Sequence, residues 1–370
     1  MFFAIKEILE TLLTGFILAI LPGLEEGSDI YQRTFELLKN VSKQTGDDYF
    51  FTCLWSAMLF SSAIRFPAIQ YILTHFDRKK TMEDQLYLIG NSIDTMINSI
   101  CNCLQDTNSL VQRSILDFIL QCLPMHNNQV TRDDKIKLIK IAIHLVLRRD
   151  MSLNRRIYAW FLGQDSNSNP IVLPKSVRLE LQMQITEQEL DKSQNENMNS
   201  NIYFKTYSHA LLITSIKSLL ARGDHSSASS ILMEETQTIA IKMLKIISSL
   251  SEKQEIGQFI IEEVLLDLLL YVFKECETLN ESSSITASKE KTEIVKATCN
   301  FIFQSFQLNF IWDFCASKFE EVCHDVNYNE TKAVTPSLLC DLYNFILDLT
   351  NLVSFLPRFS CTTASRYTFV

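Results

Sequence analysis

Apolar side chains recur every three or four residues over most of this chain, the spacing that places them on one face of an α-helix. The segments 82–104 and 132–149 are two clear cases. The same spacing predicts helices over residues 3–21, 28–45, 176–187, 203–221, 231–250, 254–276, 294–323 and 336–356. Asn-Gly and Asp-Gly pairs, which mark β-hairpins, are absent. The pattern therefore predicts an all-α protein.

Three of the apolar segments are similar to one another. The strings SAIRFPAIQYIL from Ser62, SLVQRSILDFIL from Ser109 and SLNRRIYAWFL from Ser152 align without a gap, at offsets of 47 and 43 residues. A period of about 40–47 residues is typical of HEAT and armadillo repeats, in which two helices form one unit. We therefore predict an α-solenoid of HEAT/armadillo-like helical pairs, with about a dozen helices and these segments as the second helices of stacked units.

Asp106 and Arg113 flank the turn inside one predicted unit. This order, aspartate and then arginine, resembles HEAT repeats, where such residues tie neighbouring turns together. We interpret both residues as parts of the scaffold.

Composition divides the chain into four parts. Residues 1–165 carry the repeat, 166–202 form a polar linker, 203–357 form a second helical-repeat segment, and 358–370 form a tail. The stretch 187–201 has almost no apolar residue, so burial cannot offset its ordering entropy and a flexible linker is predicted. A shorter polar stretch, residues 281–291, is predicted to be a loop.

The apolar start of the chain is predicted to be an amphipathic helix covered by a neighbour. Lys6, Glu7 and Glu10 interrupt the run, whereas a membrane span needs about 20 mostly apolar residues. We interpret residues 3–21 as the second helix of a unit whose first helix is missing. Without that first helix, an apolar patch should be exposed, and the isolated chain should associate through it. The patch comprises Phe2, Phe3, Ile5, Ile8, Leu9 and Leu12.

Overall composition narrows the possible functions. Only eight glycines and seven prolines occur, which disfavours all-β and glycine-rich nucleotide-binding folds, and the net charge of −9 gives no bulk attraction for nucleic acid. The ten cysteines form no Cys-x-x-Cys pair, so we expect buried free thiols in a reducing, cytosolic compartment. Those in apolar helical stretches are Cys53, Cys103, Cys122, Cys299 and Cys340.

Motifs of the common catalytic classes are absent, including Gly-x-Ser-x-Gly, His-Glu-x-x-His and the P-loop. We therefore predict no enzyme activity and no cofactor. The nearest approach to a metal site is Cys315 with Cys323, His324 and Asp325, but its spacing matches no zinc signature and helix packing explains the cysteines.

One dense basic cluster stands out on this acidic chain: Arg148, Arg149, Arg155 and Arg156 in the string VLRRDMSLNRR. One interpretation is an internal arginine ladder bonded to carbonyl groups and to Asp150. The other is a binding patch for anionic lipid head groups or an acidic partner; on that interpretation, at least three of the four side chains should reach solvent together.

A second function class is suggested by a phenylalanine-rich stretch. If these side chains line a cavity, the chain is a lipid-binding or lipid-transfer helical domain; otherwise they are core. The residues concerned are Phe301, Phe303, Phe306, Phe310, Phe314 and Phe319.

Several longer strings resemble a known family. LPGLEEGS, MEDQLYLIG, LVQRSILDFIL, LRRDMSLNRRIYAWFLG, EIGQFIIEEVL and IWDF are similar to the N-terminal region of the Dopey family. The resemblance covers roughly residues 7–357, is weaker over 166–202 and is lost in the tail. Family members are much larger, with similarity that starts before Met1 and continues beyond Val370, so we expect a fragment or a short form.

The resemblance implies a non-enzymatic cytoplasmic scaffold, peripheral on membranes of the Golgi, the trans-Golgi network and endosomes, that acts in vesicle-mediated protein transport between them. The partners it implies are an Arf-exchange-factor-like scaffold protein, lipid flippase, kinesin light chain and phosphoinositide membranes, with no nucleic acid. No catalytic residue carries over.

Overall fold

The computed structural model describes residues 2–25, 27–77, 80, 82–171, 173–183, 196–222, 238–281, 285–303, 310–324 and 336–349. These residues contain sixteen α-helices and no β-strand, and their only bridge of β type pairs Gln164 with Pro170. The predicted all-α fold is confirmed, with more helices than the dozen expected. The described residues form two compact units, one of residues 2–219 with 253–259 and one of 220–222, 238–252 and 260–349.

The first unit contains the aligned segments. Its helices are α1 (Phe2–Ile20), α2 (Tyr31–Thr45), α3 (Asp47–Phe60), α4 (Arg65–His75), α5 (Ile93–Leu104), α6 (Ser109–Cys122), α7 (Arg132–His144), α8 (Met151–Leu162), α9 (Lys175–Met183), α10 (Glu196–Tyr203) and most of α11 (His209–Arg222). Short 3-10 helices occupy Leu21–Leu24, Met82–Leu88 and Leu145–Arg148, and a π-helical turn, Phe204–Ser208, joins α10 to α11.

Helices α1 and α3 to α8 form two layers. Helices α1, α3, α5 and α7 pack side by side in one layer, and α4, α6 and α8 pack side by side in the other. The second layer holds the three aligned segments, so their predicted place as second helices of stacked units is confirmed. Each unit buries its apolar face against its neighbours, as in other solenoids.

Helix α1 belongs to the layer of first helices, because it packs against α3. Its interpretation as the second helix of a unit was therefore wrong. The 3-10 helix after α1 packs closely on α2, because a Cβ atom at Gly23 would lie 2.6 Å from Thr34 Oγ1. Of the predicted apolar patch, Leu12 is 65% exposed, and the other side chains lie outside the described residues.

The single helix predicted over 82–104 is instead a 3-10 helix and α5, separated at Gly90. This glycine has φ +77°, and a Cβ atom there would lie 2.6 Å from Thr52 Oγ1. Ser92 then caps α5 by accepting from Thr95 N at 3.2 Å. A left-handed glycine followed by an N-cap serine outweighs apolar periodicity in this segment.

Helix also enters the predicted linker. Although it is polar, the segment from Glu196 to Tyr203 forms α10, because tertiary contacts hold it: Gln164 Nε2 donates to Ser200 Oγ at 3.0 Å. The flexible linker predicted over 187–201 is thus wrong from Glu196 onward, and residues 187–195 lie outside the described ranges.

The second unit is also helical. It contains α12 (Ile239–Glu252), most of α13 (Gln254–Glu281), α14 (Ile285–Phe303), α15 (Phe310–His324) and α16 (Pro336–Leu349), with α12 against α14 and α16 against both α14 and α15. The loop predicted over 281–291 is wrong from Ile285 onward, since α14 continues through it. Val295, Cys299 and Phe303 form its buried face at four-residue spacing.

Candidate functional site

Arginine and aspartate side chains join the turns of successive units along one edge of the solenoid. The turns are those between α3 and α4, between α5 and α6, and between α7 and α8; we call the edge formed by residues 58–65, 102–110 and 148–155 the ladder edge. In the first rung, Arg65 Nη1 donates to Asp106 Oδ2 at 2.7 Å, with side chains 14% and 6% exposed. Arg65 also donates to the carbonyls of Met58 and Asn102, so it binds its own turn and the next.

The second rung repeats the arrangement one unit further on. Arg113 Nη2 donates to Asp150 Oδ2 at 2.8 Å. The other carboxylate oxygen of Asp150 caps α8 by accepting from Ser152 N at 2.8 Å and Leu153 N at 3.3 Å. The bond from Arg113 and these cap bonds hold the pKa of Asp150 below its ordinary value. The prediction that Asp106 and Arg113 tie neighbouring turns together is confirmed.

Two of the four clustered arginines take part in the same scaffold. Arg148 donates to the carbonyls of Asp106 and Thr107 at 3.1 and 3.3 Å. Arg156 makes a bidentate pair with Asp117 of α6 at 2.8 and 3.0 Å. These two side chains match the internal-ladder interpretation, and their donors are directed into the protein.

The other two arginines, Arg149 and Arg155, face solvent. Within the described part of the chain, neither guanidinium group forms a hydrogen bond or an ion pair. Arg149 has a left-handed backbone, φ 54°, which ends the 3-10 helix after α7. Two rather than three of the four side chains are thus free to meet a ligand, and an anion-binding role for the cluster stays a prediction, now restricted to Arg149 and Arg155.

One feature of the ladder edge is not visible in the apolar periodicity of the sequence. Three large apolar side chains are exposed there, one at each turn: Phe60 (76%), Leu110 (51%) and Met151 (87%). In the sequence each resembles an ordinary core position of its helix. The available signal was their place at the very start or end of a helix, where a side chain lies beyond the packed layer.

A second polar cluster secures α10 to the end of the solenoid. His126 N donates to Tyr203 Oη at 3.4 Å, and His126 Nδ1 lies 2.9 Å from the same oxygen. Burial, together with the nearby Lys135 ammonium, lowers the pKa of His126 to about 4. Tyr203 packs on Gly163, where a Cβ atom would lie 2.7 Å from the ring. The cluster is a structural clasp, because its groups are bonded to one another and closed off by packing.

The thiols are mostly buried, as predicted for Cys53, Cys103, Cys122 and Cys299, but Cys340 is exposed, contrary to prediction. On α16 the buried positions among the described side chains are Leu339, Leu342 and Ile346, which places Cys340 on the outer face. Burial raises the pKa of Cys53 and Cys101 to about 11, so these thiols stay protonated and are poor nucleophiles.

The other candidates have little support in the described residues. No three His, Cys, Asp or Glu side chains among them are placed to hold a metal ion, and the side chains of Cys323, His324 and Asp325 lie outside them. Phe303 and Phe314 are buried, whereas the side chains of Phe301, Phe306 and Phe319 are not described, so the lipid-binding alternative stays a prediction. Among the described helices, none is both long and apolar enough to cross a membrane.

Comparison with known proteins gives consistent matches. A family model described as Dopey, N-terminal, matches residues 1–166, and one described as the DOP1 middle TPR domain matches residues 203–354. Protein DOP1B of Mus musculus is 32% identical over 94% of this chain and 16% of its own length. Protein DOP1 homolog of Drosophila pseudoobscura pseudoobscura is 32% identical over 89% and 11%, and Protein DOP1 of Saccharomyces cerevisiae is 25% identical over 85% and 19%.

The chain therefore spans less than a fifth of the length of these relatives. No solved structure matches it. The two family models together cover most of the chain. This chain belongs to the Dopey family, of which it carries the N-terminal region and the middle TPR region.

Proposed function

We propose that this chain is part of a non-enzymatic scaffold or adaptor in vesicle-mediated protein transport between the Golgi and endosomes, held peripherally at the membrane. The observation that carries the proposal is membership of the Dopey family. The stack of helical pairs in the first unit supports it. Solenoids of this kind present long, regular surfaces suited to binding other proteins.

Two features support the non-enzymatic part. The sequence lacks the motifs of the common nucleophilic, metal-dependent and nucleotide-binding enzymes. The buried thiols of Cys53 and Cys101 have raised pKa values, and the imidazole of His126 is bonded to Tyr203 within the scaffold. Binding surfaces, rather than reactive groups, are what the described residues offer.

The partners that we propose are those that resemblance to the Dopey family implies. They are an Arf-exchange-factor-like scaffold protein, a lipid flippase, kinesin light chain and membranes that contain phosphoinositides. Nucleic acid is not among them, since a net charge of −9 opposes binding to a polyanion.

The test uses the full-length protein in its own cells. We expect it to colocalise with trans-Golgi and endosome markers, and alkaline carbonate should release it from membranes, as it releases peripheral proteins. Acute depletion should leave a receptor that normally returns from endosomes to the Golgi stranded in endosomes, and re-expression should restore its return. Bulk secretion of a soluble reporter serves as the control. Normal receptor return after complete depletion would refute the proposal.

A further inference from the structure

We propose that the ladder edge docks an extended acidic segment of a partner protein, with apolar residues at every third position. The three apolar side chains Phe60, Leu110 and Met151 would hold its apolar residues, and Arg149 and Arg155 would pair with its carboxylates. This inference rests on the proposed scaffold function, of which it names the chemistry of one partner surface.

The three apolar side chains lie on successive turns, and those turns are bonded together. Arg65 joins the turn after Phe60 to the turn before Leu110, through Asp106 and the carbonyl of Asn102. Arg148 joins that second turn to the one before Met151, through the carbonyls of Asp106 and Thr107. Single exposed apolar side chains are common, but here one occurs at each of three successive turns: Phe60 at the end of α3, Leu110 at the start of α6 and Met151 at the start of α8.

Charge defines the partner. The ladder edge has two carboxylates, and each is already bonded to an arginine: Asp106 to Arg65 and Asp150 to Arg113. The positive charges of Arg149 and Arg155, on either side of Met151, therefore have no carboxylate partner on this edge. A guanidinium group binds carboxylate with two parallel hydrogen bonds, so the complementary ligand is acidic and places carboxylates beside an apolar residue.

Spacing favours a peptide in extended form. Neighbouring packed helices lie about 8–10 Å apart, and three residues of extended chain span about 10 Å. Apolar residues at every third position of the partner would thus meet Leu110 and Met151, on the neighbouring helices α6 and α8, and Phe60, where α3 turns into α4 beside α6. The residues between them, if acidic, would reach the two arginines.

An anionic membrane fits the same edge less well. Basic sites that bind such membranes contain about four to eight clustered cations, each worth about 1 kcal/mol near the surface. The ladder edge offers two uncommitted arginines on a chain of net charge −9. A protein segment gains from both the apolar row and the two ion pairs, and is the occupant we favour.

The test measures binding of the full 370-residue chain to a fluorescent peptide, VEEVEEV, by polarisation, with VKKVKKV as the peptide control. Valine favours the extended form. We expect binding to the acidic peptide only. Replacing Arg149 and Arg155 by glutamate should weaken it at least about tenfold, the effect of 1.4 kcal/mol. The control variant, Arg33→Glu with Arg178→Glu, makes the same charge change at two other exposed arginines and should bind normally.

A second variant, Met151→Gln with Phe60→Gln, tests the apolar row and should also weaken binding, with an unchanged melting temperature for every variant. Equal binding of VEEVEEV by wild type and the Arg149→Glu/Arg155→Glu variant, or no binding at all, overturns the proposal. If that variant instead loses cosedimentation with phosphatidylcholine/phosphatidylserine vesicles while peptide binding is unchanged, the edge is a membrane surface and the proposal is wrong. Since this assay measures binding alone, a negative result removes the docking surface and leaves the transport assay to decide the proposed function.

Discussion

Asp150 shows how much one side chain can connect. One of its oxygens accepts from Arg113 of the preceding unit, and the other accepts from two backbone amides that begin α8. The same carboxylate therefore joins two units and starts a helix. His126 is the opposite case, a titratable group that burial and Lys135 keep neutral. Both residues give predictions that depend on pH.

Replacing Asp150 by asparagine should keep the helix cap but remove the ion pair with Arg113. Because the folded-state pKa of Asp150 lies below the ordinary 3.8, its charge stabilises the protein above that value and the benefit is lost as pH falls through the folded pKa. We expect Asp150→Asn to lower the free energy of unfolding by about 1–2 kcal/mol at neutral pH, a figure reduced for partial exposure. Urea titrations at several pH values should show that the difference in free energy of unfolding between wild type and variant disappears in acid. A difference that is the same at every pH would contradict the prediction. Asp133→Asn, at the start of α7, is the matched control.

His126 should titrate at about pH 4 rather than near 6.5. Since the folded-state pKa is lowered, the neutral imidazole contributes stability that is complete above pH 6.5 and declines as pH falls towards 4. Lys135→Met should raise the His126 pKa part of the way, because burial, the larger cause, remains. NMR titration of the imidazole measures this directly, with Lys137→Met on the same helix as the control. An unperturbed value in the wild type would rule out the clasp geometry.

At the scale of elements, the positions where helices end depend on backbone contacts that periodicity does not encode. Gly90 and Gly163 both have positive φ and both lie against a neighbouring residue, Thr52 and Tyr203 respectively. The segment 82–104 was predicted as one helix because its apolar spacing continues across Gly90. The partner that makes this glycine necessary, Thr52, is distant in the sequence and becomes adjacent only on folding.

A pair of glycine substitutions tests this. Gly163→Ala places a methyl group in a left-handed residue, φ +63°, and 2.7 Å from the Tyr203 ring, so we expect a loss of about 1–3 kcal/mol in the free energy of unfolding. Gly15→Ala lies inside α1 with no atom within 4 Å of the added Cβ and should stabilise by up to about 1 kcal/mol. Thermal or urea unfolding of both variants gives the comparison. Equal effects of the two substitutions would mean that the Gly163 contact is not made.

Three other helices could be predicted from the sequence, because they repeat one another. The stacked helices α4, α6 and α8 were predicted from an internal repeat. Their sequences are similar because all three helices pack in the same kind of environment. The helix α10 was missed because its own residues are polar and its stability comes from Gln164 and Gly163, in an earlier part of the chain. In the candidate site, the scaffold role of Asp106 and Arg113 was predicted from the sequence. The exposure of Phe60 and Met151 was not, because it depends on where the packed layer of helices ends.

At the scale of the whole molecule, stability in a solenoid depends on the interfaces between successive units. The Arg65–Asp106 rung crosses one such interface and is largely buried, with Asp106 only 6% exposed. Removing one partner leaves the other charge buried without compensation, which is more costly than removing both. The rung therefore couples the unit of α3 and α4 to that of α5 and α6.

A double-mutant cycle measures this coupling. We expect Arg65→Met and Asp106→Asn each to lower the free energy of unfolding by about 2–4 kcal/mol, and the double variant to lose little more than either alone. Urea denaturation of the four proteins gives the interaction energy. Additive losses would show that the two side chains act independently and that the rung does not join the units.

The direction of the rungs has a consequence for how such arrays grow. In both rungs the arginine belongs to the second helix of one unit and the aspartate to the turn of the next. The unit of α5 and α6, which lies between the other two, thus contributes one donor to its successor and one acceptor to its predecessor. A gene duplication that copies a whole unit in tandem brings both halves of a new rung with it. A copy of the unit of α5 and α6 therefore adds one donor together with one acceptor to the ladder edge, whereas a copy of half that unit adds one without the other.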